Sequence, residues 1–163
     1  MSDDASTAVR DSARAAAFLG ARRGPILAEA QQSLCARSRR YSGRGPAEVR
    51  SRLDALFDRL VASLAAGDFT RVVAHARLVA RTRYETGYDL ADVQAAFNAL
   101  EEAVWSTVFA EDDLVLGGAV LRYVSAALGT AKDALACEYV GLAERTGAPP
   151  LDLAALSRGV ERP

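Results

Sequence analysis

The sequence predicts an all-α protein: an antiparallel bundle of about six helices that ends in a long C-terminal helix. Three observations predict it. Ala, Leu, Arg and Glu dominate, and these residues lose little freedom in a helix. Apolar residues recur at three- and four-residue steps, and no segment alternates as a strand does. Gly, Pro and Asp punctuate the chain at intervals that fit helix ends. With 163 residues the chain suits one domain, expected over 1–147, with 148–163 as a tail or linker. A chain of this size buries roughly 70% of its extended surface, enough for one core without staples.

The first helix is expected over 4–22. It carries only a weak stripe of Val9, Ala13, Ala16, Ala17 and Leu19, and reads as peripheral. Gly24-Pro25 ends it and opens a second helix over about 25–40, with Ile26, Leu27, Ala30, Leu34 and Cys35 on one side. Ser42-Gly-Arg-Gly-Pro46 is a loop. The third helix, from Pro46 to about Ala66, has the strongest stripe: Val49, Leu53, Leu56, Phe57, Leu60, Val61 and Leu64. Asp68 is the expected N-cap of a fourth helix that carries Phe69, Val72, Val73, Ala76, Val79, Ala80 and Arg83 to a stop at Gly87. Asp89 then caps a fifth helix, with Asp92 acting on its positive end. Leu90, Val93, Phe97, Leu100, Val104 and Val108 form its apolar face. Glu111-Asp-Asp113 caps the last helix, expected over about 114–145.

Charge is unevenly distributed although the net charge is −1. Residues 1–52 hold ten Arg against five acidic residues, whereas 84–121 hold eight acidic residues and no basic one. Such surfaces stay solvated, or pair within one subunit or between two. Nucleic-acid binding is not expected, since only Tyr41 lies in the Arg37–Arg44 cluster as a stacking aromatic. No run of 18 apolar residues marks a membrane span, and the acidic N-terminus lacks the pattern of a signal peptide. The cytoplasm is the expected location, with Cys35 and Cys137 as buried thiols and not a disulfide.

Catalytic and metal chemistry find few residues to use. One histidine, His75, and two distant cysteines do not make a zinc site, and Glu-x-x-His pairs for a bundle metal centre are missing. Gly43-Arg-Gly45 lacks the Lys-Ser/Thr of a phosphate loop, and adjacent Glu101 and Glu102 point apart on a helix. No cofactor and no enzymatic activity are expected. A haem ligand or a phosphorelay histidine are minor readings of His75, beside that of an ordinary helix residue.

Two sets of residues are candidates for function. Leu114, Leu121, Val124, Leu128, Leu135 and Leu142 in the last helix follow heptad spacing. They read either as one side of a long core helix or as a two-stranded seam between subunits. A seam of that length would bury ~800 Å² per partner, and Leu121→Glu or Leu128→Glu would split it without unfolding the helices. Phe57, Phe69, Tyr84, Phe97, Trp105 and Tyr123 read either as core or as the lining of a pocket for an apolar ligand.

Residues about 25–145 resemble the N-terminal domain of RsbT co-antagonist proteins, the RsbR-type stressosome regulators. The resemblance lies in Ile26-Leu-Ala-Glu29, in Arg81-Thr-Arg-Tyr-Glu-Thr-Gly87 followed by Tyr88-Asp-Leu-Ala-Asp-Val93, and in Phe97-Asn-Ala-Leu-Glu-Glu-Ala-Val-Trp105. It implies a globin-like or bundle domain without haem. It implies a homodimeric regulatory input whose last helix leads to an output, with a STAS-domain or kinase protein as partner. The phosphorylatable STAS domain of that pattern is absent from these 163 residues. The sequence is therefore expected to be a free-standing module or a piece of a longer chain.

Overall fold

The computed structural model describes residues 2–147, with side chains from Thr7 onward. The tail expected at 148–163 lies outside the described residues. Seven helices account for the structure: α1 (Ser2–Ala21), α2 (Arg23–Arg37), α3 (Arg39–Ser42), α4 (Pro46–Ala66), α5 (Thr70–Glu85), α6 (Leu90–Phe109) and α7 (Leu114–Arg145). Among the described residues there is no strand.

Cross-helix contacts give the directions of the helices. Ser12 meets Leu64, and Gly67 lies near Val9, so α1 and α4 run antiparallel. Arg22 meets Glu111 and Arg37 meets Glu102, so α2 and α6 are antiparallel. Lys132 reaches Glu101 and Gly117 abuts Val108, so α6 and α7 are antiparallel too. Arg81 pairs with Glu138, and Tyr84 with Thr146, so α5 runs parallel to α7. That α5–α7 contact is the most extensive in the fold. Helix α5 buries two small residues, Ala76 and Ala80, together with Val72.

The helix ends follow local chemistry. Asp89 accepts a hydrogen bond from the Asp92 amide at 2.7 Å, and Asp113 accepts one from Leu116 at 2.9 Å. Gly67 and Gly87 take φ of +65° and +72° after α4 and α5, a conformation that favours glycine. Asp68 acts one residue before the position expected of it. Phe69 is the N-cap of α5, while the Asp68 carboxylate accepts from the Thr70 amide at 2.8 Å. The buried Ser63 hydroxyl of α4 accepts from the Val72 amide at 3.0 Å, so a neighbouring helix completes the cap.

Three expectations are corrected. First, α1 is part of the core: Ser12, Ala15, Ala16, Phe18 and Leu19 are buried, whereas Ala13 and Ala17 are exposed. The stripe looked weak because Ser12 belongs to it, made compatible with burial by donating to the Leu64 carbonyl at 2.7 Å. Second, the helix expected over 25–40 breaks at Ser38, whose φ of −120° and ψ of 117° are extended. The Ser38 hydroxyl donates to Asp92 at 3.1 Å, and the single turn α3 then swings Tyr41 into the core. Third, the two cysteines are free but not buried: Cys35 is half-buried and Cys137 exposed.

Helix α7 is long and apolar enough, by length and composition, to cross a membrane, with a mean hydropathy of 1.5 over its most apolar window. Arg122 interrupts the run and hides this from a search for unbroken apolar stretches. In the fold its apolar side packs on α5, α6 and α1, burying Val120, Val124, Ala127, Leu128, Ala131 and Leu135.

Candidate functional site

The heptad-spaced residues of α7 do not form one surface. Val124, Leu128 and Leu135 are fully buried in their own subunit. Leu121 and Leu142 are half-buried, and Leu114 alone is open, at 84% exposure. The spacing is real, but α5 and α6 occupy the groove that a second copy would need. A glutamate at Leu128 would therefore break the core and not merely separate two subunits.

Nor do the six aromatic residues line one pocket. Phe57 and Phe97 are core. Phe69 and Tyr123 sit by α1, where the Tyr123 hydroxyl donates to the Ala8 carbonyl at 2.9 Å. Tyr84 packs edge-on to Tyr139 with ring centroids 5.1 Å apart. Trp105 is 43% exposed beside Asn98, Glu101 and Glu102.

A different cavity, of about 220 Å³, lies between α4, α5 and α6. Helix α5 faces it with His75, Val79 and Arg83, spaced four residues apart along one stripe. Helix α4 contributes Ser51, Arg52, Ala55 and Leu56, and α6 contributes Val93, Ala96 and Phe97. Tyr41 of α3 closes one side. Exposed Ser51 and Ala55 form the mouth. Of the six aromatic candidates only Phe97 is here. A cavity of about 150 Å³ holds a benzene ring, so this one takes a single ring but not a porphyrin.

The polar side chains around the cavity are electrostatically unusual. Burial, reinforced by the Arg59 guanidinium, holds His75 below the ordinary histidine range. Burial pushes the Tyr41 phenol up, although Arg83 and Arg52 pull against it. Arg83 is lowered by burial and then by the positive charges of Arg52 and Arg44. Behind Tyr41 lies Tyr88, buried, with its ring flanked by the guanidiniums of Arg40, Arg44, Arg52 and Arg83 at 5.1–5.7 Å. The Tyr88 hydroxyl is 3.1 Å from Arg52, and its carbonyl accepts from the Tyr139 hydroxyl.

The basic N-terminal half and the acidic α6 meet within one subunit. Arg22 pairs with Glu111 at 2.8 Å, Arg37 with Glu102 at 2.6 Å, and Arg40 with Asp92 at 3.1 Å. Solvent reaches all three pairs, which keeps each to about 0–1 kcal/mol, so they orient α2 and α3 on α6 more than they stabilise the fold. Several large apolar side chains also stay open. Trp105 and Phe109, one turn apart on α6, and Leu114 and Val115 at the start of α7 are 43%, 74%, 84% and 79% exposed.

Sequence reasoning missed the cavity residues as a group. The signal was Arg83, a cation in line with the buried stripe of α5, where a leucine would be ordinary. Tyr41 gave no signal, because its burial depends on the break at Ser38.

No curated protein and no solved structure matches the chain. The family model for the RsbT co-antagonist protein rsbRD N-terminal domain matches residues 24–148, about three quarters of the sequence. The match starts at the second residue of α2 and ends just past α7, so it covers every helix around the cavity and the exposed apolar cluster, leaving α1 outside. The chain belongs to the family of RsbT co-antagonist N-terminal domains, regulatory domains of stressosome-type signalling.

Proposed function

We propose that this chain is a non-enzymatic regulatory domain of the bacterial cytoplasm that works as a homodimer and passes its state through α7 to a STAS-domain or kinase partner. The observation that carries this reading is the apolar cluster of Trp105, Phe109, Leu114 and Val115 at the α6–α7 turn. A twofold axis through that turn would cover the same cluster on both copies. The seam thus moves from the buried side of α7 to its first turn and the adjoining end of α6. Helix α7 suits transmission because its 32 residues join this turn to the far end of the domain, packed on α1, α5 and α6. A small shift of the paired N-terminal ends would be carried along it as a rigid rod.

Light scattering coupled to gel filtration tests the reading. The chain is expected to run as a dimer at micromolar concentration, and Phe109→Glu as a monomer with unchanged helix content by circular dichroism. A wild-type monomer under those conditions would overturn the dimer.

A further inference from the structure

We propose that the cavity between α4, α5 and α6 is a binding site for a small monocarboxylic acid with an apolar body, of about the size of benzoate. Arg83 and Tyr41 would hold its carboxylate, and Leu56, Val79 and Phe97 would receive its body. This inference stands apart from the dimer, since it concerns one chain and none of the residues of the exposed cluster.

The first support is a half-buried guanidinium that reaches no carboxylate among the described residues. Among the described residues the other half-buried guanidiniums each reach a carboxylate: Arg22, Arg23, Arg44, Arg50 and Arg52 all do. Among the described residues Arg83 reaches none, although it is half-buried. Its charged neighbours are Arg52 and Arg44, of its own sign. No Asp or Glu lines the cavity. A half-buried cation among cations, in a pocket with no anion, is a site that an anion would complete.

Tyr41 is the second support. It is 98% buried as a residue, and its hydroxyl makes no hydrogen bond among the described residues. Yet no buried side-chain oxygen in the described structure lacks a partner, so this hydroxyl borders the open cavity and does not lie sealed in the core. A ligand acceptor at that border would take its hydrogen bond in place of water. His75 and Ser51 also face the cavity and have no hydrogen-bond partner among the described residues. They supply further polar contacts at its edge.

The cavity's apolar wall decides between an organic acid and an inorganic anion. Helices α5 and α6 present Val79, Val93, Ala96 and Phe97 to it, and α4 presents Leu56. Phosphate would leave that wall uncovered while losing its own hydration. A neutral apolar molecule would cover the wall but leave Arg83 as it is. Only a molecule with both parts matches both sides, and about 220 Å³ limits its body to a single ring or a short chain.

Isothermal titration and thermal unfolding of the full chain, with benzoate, benzamide and inorganic phosphate at equal ionic strength, test the proposal. Benzoate is expected to bind once per chain and to raise the melting temperature with concentration. Benzamide, which has the same shape without the charge, is expected to bind at least about tenfold more weakly, and phosphate not at all. Arg83→Gln should remove that tenfold advantage while leaving benzamide unchanged. Should Arg83→Gln fail to fold, Ala96→Leu fills the cavity instead, and benzoate binding should disappear with helix content retained. The proposal is overturned if benzoate does not bind, if benzamide or phosphate binds as tightly, or if either folded variant binds benzoate as the wild type does. A monomeric wild type that binds benzoate would end the dimer and leave this site standing; the reverse result would do the opposite.

Discussion

Arg83, Tyr41 and Tyr88 show how a few side chains give this domain its character. Four guanidiniums around one tyrosine ring would repel one another in water. Here the ring's negative face, the Tyr88 hydroxyl and the outlying carboxylates Glu48 and Asp92 hold three of them, and Arg83 remains without an acid. His75, the one histidine in the sequence, lines the same cavity as Arg83 but responds to burial and to Arg59. Its folded-state value lies below the unfolded value of about 6.5. Above that value both states are neutral and stability does not respond. As pH falls below it the unfolded chain takes up the proton first, so His75 costs the fold stability until its own folded value is passed. Urea unfolding from about pH 7 to about pH 5 should therefore show wild type losing stability relative to His75→Gln as the pH drops. A difference independent of pH would contradict the burial of His75. At this scale the sequence was partly legible. Arg83 stood out on an apolar stripe, but its like-charged neighbours, Arg44 and Arg52, come from the loop before α4 and from α4 itself.

Helix ends and helix contacts divide in the same way. Asp89, Asp113 and Gly87 act where spacing puts them, because a cap is a contact between residues three apart. The break at Ser38 escaped notice because the partner of its hydroxyl, Asp92, is on α6. Close approach between elements is equally non-local. A Cβ on Gly117 would lie 2.9 Å from a Val108 methyl, across the α6–α7 contact. Valine is stiff at χ1 and cannot swing away. Gly117→Ala should accordingly destabilise by about 1 kcal/mol net, the overpacking exceeding the helix-propensity gain. Added to Val108→Ala, the same change should cost less than it does alone. Denaturant midpoints of the two single variants and the double variant give the coupling directly. A stabilising Gly117→Ala would mean that α6 and α7 do not approach this closely.

The whole molecule sorts the apolar residues of α7 into those it uses and those it leaves out. Leu128 and Leu114 have the same chemistry and sit on the same helix, yet one is fully buried and the other 84% exposed. Leu128→Glu should therefore cost about 4 kcal/mol or more and remove the cooperative melt. Leu114→Glu should leave the melting temperature of the isolated subunit nearly unchanged, within about 0.5 kcal/mol. Thermal melts followed by circular dichroism distinguish them, and equal losses would refute the assignment of inside and outside. Helix α1 is a further feature of this scale. It lies outside the matched family region yet packs on α4 and α7 and closes the core over Leu19 and Leu64.

The sequence by itself determined that the protein is all-α, where its long helices run, most of their caps and the family to which it belongs. All of these rest on interactions or patterns within a few residues of chain. Only the tertiary structure decided that Leu128 and Leu135 of α7 face inward while Leu114 does not, that α1 joins the core, and that the basic and acidic halves pair within one subunit. It also decided that Arg83 meets Tyr41 across a cavity and not a carboxylate. Each of these is a relation between helices far apart in the chain, and a helix's periodicity states that one face is apolar without stating what will cover it.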